Sequence, residues 1–232
     1  MKSCVTDALP RVSARSCCRV AAAVTLALSI ALPDSVRAAD YALRFSDNSQ
    51  IVTTPAKITT ANFTFEGWFK AESFASENHI VDQYIGGHAG RLVVLLRNAK
   101  PSFFLGGKFI ESANTIASNT WTHIAVTRSG TTGTLYINGK LDATDGGIPT
   151  AALPSTGIVI GSNPYFANSF RGQIADVRAW NFARTQAQIS ASMNSRLSGT
   201  ESGLVGYWPI NNGTGTTVNE LVANANGTRV GT

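Results

Sequence analysis

Cysteine and charged residues are both scarce in this sequence. Only three of the 232 residues are cysteines (Cys4, Cys17 and Cys18), and only 14% are charged. After position 18 the chain therefore has no residue that could form a disulfide, a thiolate metal site or a thiol nucleophile. The N-terminal apolar run from Val20 to Leu32 has 13 residues, whereas a membrane-spanning helix needs about 20. We therefore do not expect a membrane-embedded protein.

Residues 1–38 have the three parts of a secretory signal peptide. Basic residues precede the apolar run, Pro33 follows it, and Val36-Arg37-Ala38 suits cleavage after Ala38. This leader holds five of the 19 Lys and Arg residues and two of the 14 Asp and Glu residues, which leaves residues 39–232 with a net charge of +2. A charge this small does not predict nucleic-acid binding. We expect residues 39–232 to form one domain that is exported to the periplasm or the medium.

From Tyr41 onward the sequence predicts many short strands. Apolar and polar residues alternate in short runs, as in Phe63, Phe65 and Phe69, and alternation places each set on one face of a sheet. Asn138-Gly139 and Gly106-Gly107 each separate two such runs, and these residue pairs favour the positive φ of a tight hairpin turn. The closing stretch, 219–232, is expected to pair with the first strand.

One segment has helical rather than alternating periodicity. Thr185 and Gln188 have the spacing of a capping box, while Ile189 and Met193 share one helical face. We predict a short helix from Gln186 to about Asn194. The predicted fold class is therefore all-β, a two-sheet antiparallel sandwich with one short helix near the C-terminus.

Six segments, taken in order, carry a resemblance to a known family. They are Ala42–Asn48, Phe63–Trp68, Trp121–Thr127 running into Leu135–Lys140, Ile160-Gly161 followed by Phe170–Asn181, Ala183–Thr185 and Gly203–Trp208. In this order the chain resembles the laminin G-like domains of the concanavalin A-like lectin and glucanase superfamily, in the form common in bacterial exported proteins. The resemblance implies a jelly-roll β-sandwich over nearly all of residues 39–232. Because the superfamily includes lectins, pentraxins, adhesion domains and glycosidases, the fold does not decide the function.

The acidic residues do not predict a glycosidase. A retaining glycosidase needs two carboxylates about 5–5.5 Å apart, and the glucanases of this superfamily supply them from one strand as an ExDxxE-like cluster. Here the acids are scattered singly, and the two that lie closest in sequence, Asp142 and Asp145, are three residues apart. The sequence also lacks a GxSxG elbow, a phosphate loop and an HExxH motif. We predict no catalytic residue, and a glycoside hydrolase would require two distant carboxylates to converge in space.

The expected function is a non-catalytic, lectin-like module that binds a glycan or a glycosylated surface. Sugar binding uses an exposed aromatic ring with amide or carboxylate groups around it. The residues with this composition are Asn163, Tyr165, Phe166 and Asn168 in one loop, with Gln83 and Tyr84 as a second group. The alternative function is a protein-interaction or adhesion module that uses the same loops.

The resemblance also implies a structural calcium ion as a possible cofactor. Many relatives hold it with a loop aspartate and a closing turn, and calcium prefers six to eight oxygen ligands. The corresponding candidates here are Asp47, Asn48 and Glu220, where Glu220 replaces the aspartate of the relatives. The alternative is that Asp47 and Asn48 only close a turn by side-chain hydrogen bonds.

Two charged residues are predicted on faces that look buried. Glu66 shares its strand face with Thr64 and Trp68, and Arg178 lies in an equally apolar strand. Because a buried charge needs a partner, we predict a structural ion pair between Glu66 and Arg178, with Asp176 competing for Arg178. His123 is expected to be a hydrogen-bonded histidine of the sheet and not a catalytic base.

Overall fold

The computed structural model describes residues 42–46, 50–52, 58–84, 91–150, 153, 156–165, 167–211 and 215–231. The predicted signal peptide lies outside these residues. The described elements are β1 (Leu43–Phe45), β2 (Gln50–Val52), β3 (Phe63–Ala71), β4 (Glu77–Gln83), β5 (Leu92–Arg97), β6 (Lys100–Leu105), β7 (Lys108–Glu111), β8 (Thr122–Ser129), β9 (Thr132–Ile137), β10 (Lys140–Asp145), β11 (Val159–Ile160), β12 (Gly172–Trp180), α1 (Gln186–Ser192), β13 (Leu204–Trp208), β14 (Thr217–Val218) and β15 (Gly227–Val230).

The strands form two antiparallel sheets, as predicted. The first sheet has the order β1-β12-β3-β8-β9-β10, with β13 also paired to β12. The second has the order β14-β15-β2-β11-β4-β5-β6-β7. Strands β4 to β7 follow one another in both sequence and space, so they form a meander that makes up half of the second sheet.

A single large core joins the inner faces of the two sheets. Phe63, Phe65 and Phe69 of the first sheet belong to the same buried cluster as Leu92 and Val94 of the second. Period-two alternation explains this, since every second side chain of a strand points to the same face. The outward residues of β5 and β6 instead form a separate small cluster, which lies on the far side of the second sheet.

The predicted turns and helix are confirmed where the structure describes them. Asn138 and Gly139 have φ values of 50° and 73° between β9 and β10, and Gly106 and Gly107 have 59° and 93° between β6 and β7. Thr185 caps α1 in a complete capping box with Gln188. The helix ends at Ser192, two residues before the predicted end.

One pairing prediction is wrong. The closing strand β15 pairs with β2, with Arg229 opposite Ile51, whereas the first strand β1 pairs with β12 of the other sheet. The chain passes from the first sheet to the second between β1 and β2. The closing strand pairs with β2, which lies in the second sheet. In the part of the chain that the structure describes, no helix is long and apolar enough to cross a membrane.

Candidate functional site

The outer face of the second sheet carries a pocket of about 250 Å³. Its apolar floor comes from β5, β6 and β7. Its polar wall comes from β4, the residue before β5 and the loop after β11. The floor residues are Val93, Leu95, Phe104 and Phe109, and the wall residues are Glu77, His79, Arg91, Asn163 and Asn168. The volume is just below the range of about 300–1,000 Å³ for drug-sized ligands, so the pocket suits a small ligand.

The pocket floor exists because β5 and β6 are apolar on both faces. Val93 and Leu95 alternate with the core residues of β5, and cross-strand pairing places Phe104 opposite Val93 and Phe109 opposite Phe104. The two phenylalanine rings lie 4.8 Å apart, and the Arg97 guanidinium lies 4.3 Å from the centre of the Phe109 ring. Phe109 is 39% exposed and gives the floor an accessible aromatic edge.

A chain of ion pairs surrounds this floor. The Arg91 guanidinium makes two hydrogen bonds to the buried Asp82 carboxylate, at 3.2 and 2.5 Å, and His79 Nδ1 lies 3.2 Å from the same carboxylate. Arg97 lies between two acids, 3.4 Å from Glu77 and 3.2 Å from Glu111. The hydrogen bonds that Arg91 donates to Asp82 raise the pKa of Arg91. Cations and carboxylates therefore alternate around the pocket.

The described residues of the loop between β11 and β12, 161–165, 167 and 168, form one wall of the pocket through Asn163 and Asn168. The Ser162 and Ser169 hydroxyls hydrogen-bond at 2.9 Å and close its base. The His79 backbone N–H donates to the Asn168 carbonyl at 2.7 Å, which ties the loop to β4. Inside the loop, Asn163 Oδ1 accepts the backbone N–H groups of Tyr165 and Ala167 at 3.0 and 2.9 Å. The side-chain oxygen of Asn163 thus shapes the loop.

A pair of tyrosines, Tyr165 of this loop and Tyr84 directly after β4, lies next to the pocket residue Arg91. The Tyr84 and Tyr165 rings meet edge to face with centroids 5.9 Å apart, and the Arg91 guanidinium lies 4.9 Å from the centre of the Tyr84 ring. Tyr165 is 71% exposed. A hydrogen bond between the two side chains raises the pKa of Tyr165. One tyrosine therefore supports the other, and the outer ring is presented to solvent.

The structure brings together four of the six predicted ligand residues. Asn163 and Asn168 line the pocket, and Tyr84 and Tyr165 stand next to it. Gln83 does not belong to the surface, because its side chain is buried and its amide donates to the backbone carbonyls of Ile58 and Thr156. Phe166, Asp47 and Asn48 lie outside the described residues.

Sequence reasoning missed the floor and most of the charged wall of the pocket. The available signal was the uninterrupted apolar run from Leu92 to Leu96, since a strand that is apolar at consecutive positions is covered on both faces. The ion pairs gave no such signal, because their members come from different strands and meet only through the sheet register.

The predicted charges Glu66 and Arg178 lie on the outer face of the first sheet, beneath α1. Both are fully buried, and Arg178 Nη1 lies 3.8 Å from Glu66 Oε1. The nearest cation to Glu66 is Arg184, whose Nη1 lies 2.5 Å from the same oxygen, and Trp180 Nε1 donates to it at 2.9 Å. Arg178 also binds the Asp176 carboxylate. Burial raises the pKa of Glu66, and the two guanidiniums and the Trp180 hydrogen bond oppose this rise.

His123 lies in the same buried cluster. Its ring meets Trp68 edge to face at 5.3 Å, and its Nε2 lies 3.8 Å from Glu66 Oε2. Burial, with the nearby positive charges of Arg178 and Arg184, lowers the pKa of His123 to about 3. The imidazole is therefore neutral at physiological pH, and its burial separates it from any substrate.

Glu220 holds the closing turn together. Its Oε1 accepts the backbone N–H groups of Tyr207 and Val222, and its Oε2 accepts those of Ala223 and Ala225, at 2.8 to 3.3 Å. These four donors occupy the carboxylate, so it does not fit a calcium ligand. In the described part of the chain, no group of three or more His, Cys, Asp or Glu residues could hold a metal ion.

We expect Glu220→Gln to lower the free energy of unfolding by about 2 kcal/mol, because one side-chain oxygen that accepts two buried N–H groups becomes a donor. Urea denaturation would measure this loss. Added chelator should leave the midpoint of the wild-type protein unchanged. A chelator-sensitive midpoint would contradict the role assigned to Glu220.

The two packed antiparallel sheets, with a pocket on the outer face of one, define a concanavalin A-like β-sandwich. Within this class the chain belongs to the laminin G-like family Laminin_G_3 of the concanavalin A-like lectin/glucanases superfamily, whose model matches residues 45–190. This confirms the family inferred from the sequence motifs. No curated protein sequence matches the chain.

Several solved structures share the fold. A candidate carbohydrate binding protein from Bacteroides ovatus is 23% identical, with a TM-score of 0.69, and the match covers 82% of this chain and 58% of that one. Domain 4 of AbnA, an extracellular GH43 arabinanase from Geobacillus stearothermophilus solved with arabinotriose, is 16% identical over 66% of this chain and 76% of its own, with a TM-score of 0.56. The CBM40 of Ruminococcus gnavus IT-sialidase is 12% identical over 66% and 96%, with a TM-score of 0.55. At these identities the likeness shows the fold.

Proposed function

We propose that this protein is an exported, non-catalytic module that binds a glycan in the pocket on the outer face of the second sheet. The observation that carries the proposal is the exposed Tyr165 ring, supported by Tyr84, next to a small pocket lined by Asn163 and Asn168. An aromatic ring can stack on the apolar face of a pyranose, while amides bond its hydroxyls. The pocket offers both kinds of contact within one site.

The fixed geometry of the loop supports this proposal. Ligand pockets are usually formed before binding, and a preformed site avoids the free-energy cost of ordering side chains on binding. Here Asn163 braces the loop from inside, and the Ser162–Ser169 hydrogen bond closes its base. The carboxylates around the pocket are engaged with arginines, which favours binding over acid–base chemistry. The fold relatives described as carbohydrate binding, or solved with arabinotriose, are consistent with such a role.

Tyr165→Ala is expected to weaken glycan binding by about tenfold, equivalent to about 1.4 kcal/mol, since it removes the stacking ring. A glycan array would identify the ligand, and isothermal titration calorimetry would measure both dissociation constants. Leu141→Ala is the matched control, because Leu141 is 55% exposed and lies on β10 of the other sheet.

The possible outcomes separate the alternatives. If a glycan binds equally well to wild type, Tyr165→Ala and Asn168→Ala, the ligand site lies elsewhere on the molecule. If no glycan binds and the same loop residues are needed to bind another polypeptide, the protein is an adhesion module. If the purified protein releases reducing sugars from a polysaccharide, the non-catalytic assignment is wrong.

A further inference from the structure

From the charges around the pocket we propose a ligand class: the site selects uncharged glycans over glycans that carry carboxylates. This inference rests on the proposed function and concerns which sugars the pocket accepts. A site for an acidic sugar needs a cation that can pair with the ligand carboxylate. The charged residues that border this pocket are instead paired with one another.

Arg91 is the arginine that lines the pocket, and it already has a carboxylate partner in the protein. Its two hydrogen bonds to Asp82 form a bidentate pair, the geometry in which an arginine binds a carboxylate most strongly. Asp82 is fully buried. If a ligand carboxylate took Arg91 away, Asp82 would remain as a buried charge without its arginine, which is costly. Arg91 is therefore held as part of the wall.

The other described cations near the pocket are paired in the same way. Arg97 contacts Glu77 and Glu111, and Lys100 lies 3.9 Å from Glu111. Lys108, at the start of β7, lies 2.9 Å from Asp145 of β10. Each of these arginines and lysines thus has a protein carboxylate as its neighbour, and the described residues give the pocket no excess positive charge to attract an acidic sugar.

Glu77 adds repulsion to this balance. Its side chain is 34% exposed and lines the pocket, and its Oε2 lies 3.5 Å from the amide nitrogen of Asn168. Glu77 shares Arg97 with Glu111, so its negative charge is only partly offset. A carboxylate in this position accepts hydrogen bonds from sugar hydroxyls and repels a carboxylate on the ligand, most strongly where water is displaced. The side-chain amides of Asn163 and Asn168 can form hydrogen bonds with uncharged hydroxyl groups. The wall therefore suits a neutral sugar.

The experiment compares glycans that differ only in charge. An array with neutral, sialylated and uronate-containing glycans would be probed with the protein lacking residues 1–38, and the best neutral glycan would then be oxidised at its primary hydroxyls to carboxylates. We expect neutral glycans to bind, with dissociation constants that change less than about twofold between 50 and 500 mM NaCl. The oxidised glycan should bind at least about tenfold more weakly.

Glu77→Gln tests the cause of the selectivity. It removes the negative charge and keeps a side-chain oxygen, so the preference for the neutral glycan over its oxidised form should fall by about fivefold or more. A wild-type protein that binds the oxidised glycan as tightly as the neutral one, or a preference that Glu77→Gln does not change, would overturn the proposal.

Failure of this inference differs from failure of the proposed function. If acidic glycans bind and Tyr165→Ala weakens that binding, the site is correct and only the ligand class is wrong. If no glycan on the array binds, the proposed function fails, and the ligand class fails with it.

Discussion

Glu66→Ala is expected to lower the free energy of unfolding by about 3–5 kcal/mol, the range for breaking a buried ion pair by removing one partner. Glu66 is fully buried, 2.5 Å from Arg184 and 3.8 Å from Arg178. Without this carboxylate, one acid remains for the two guanidiniums beneath α1. That acid is Asp176, which pairs with Arg178. It also leaves the indole N–H of Trp180 without the oxygen to which it donates.

The effect of this substitution reaches beyond one pair, because Arg184 joins the first sheet to the helix. Its guanidinium also donates to the Gln188 carbonyl and the Ser192 hydroxyl of α1, and its backbone N–H donates to the Thr64 hydroxyl of β3. We therefore expect the loss of Glu66 to loosen the attachment of α1. Chemical denaturation followed by tryptophan fluorescence would give the free energy, and hydrogen exchange of residues 186–193 would report on the helix.

Glu72→Ala is the matched control for Glu66. Glu72 lies at the surface and pairs with the exposed Arg44, where solvent screens the interaction. Its substitution should change the denaturation midpoint very little. If Glu66→Ala does not yield folded protein, Glu66→Gln keeps the shape and removes the charge, so it allows the same measurement. A Glu66 variant as stable as the Glu72 variant would show that the buried cluster does not stabilise the fold.

His123 should make the protein sensitive to acid. Its pKa is about 3 in the folded state and about 6.5 in an unfolded chain. Between these two values the unfolded state binds a proton that the folded state does not, so stability falls as the pH falls through this window. The slope approaches about 1.4 kcal/mol per pH unit, and the loss from this residue is about 2–3 kcal/mol at pH 4.5.

His123→Gln removes the titrating group and keeps a polar side chain of similar size. We expect this variant to be less stable than the wild type at pH 7.5, because the Trp68 contact is lost, but to lose less stability between pH 7 and 4.5. Urea denaturation across this range would give both curves, and NMR titration of the imidazole would give its pKa directly. If the wild-type and variant curves stay parallel below pH 6.5, His123 is accessible to protons in the folded state.

The fold was predictable because the signals that specify it are local. Alternation along β3, the turn pairs Asn138-Gly139 and Gly106-Gly107, and the capping box at Thr185 each act within a few residues. The pairing of β15 was not predictable in this way. β1 and β2 are both short and lie close in sequence, yet they belong to different sheets, and only long-range contacts decide which of them the closing strand joins.

The candidate site was predicted in part, and the errors have a physical reason. The loop composition pointed to Asn163, Tyr165 and Asn168, which the structure places at or beside the pocket. Gln83 was wrong because neighbouring residues at a strand end point to opposite faces, so Gln83 enters the interior while Tyr84 stays outside. The sequence shows that Gln83 and Tyr84 point to opposite faces. It does not show which of the two points outward.

Arg184 escaped prediction for a related reason. It lies between β12 and α1, where no alternation assigns a face, and it reaches Glu66 only because the helix folds back over the first sheet. The ion pair between Glu66 and Arg178 could be predicted because both residues lie in strands. The arginine nearest to Glu66 comes from a segment about which strand periodicity says nothing.

The helix α1 covers the outer side of one sheet and leaves the outer side of the other open. Trp68 and Thr64 of the first sheet are tied to the backbone of Met193 and Phe182 in the covering segment, while β4 to β7 carry the pocket. Substitutions around the pocket can therefore accumulate on one side of the molecule without disturbing the charged cluster on the other side. Different residues therefore stabilise the fold and line the pocket.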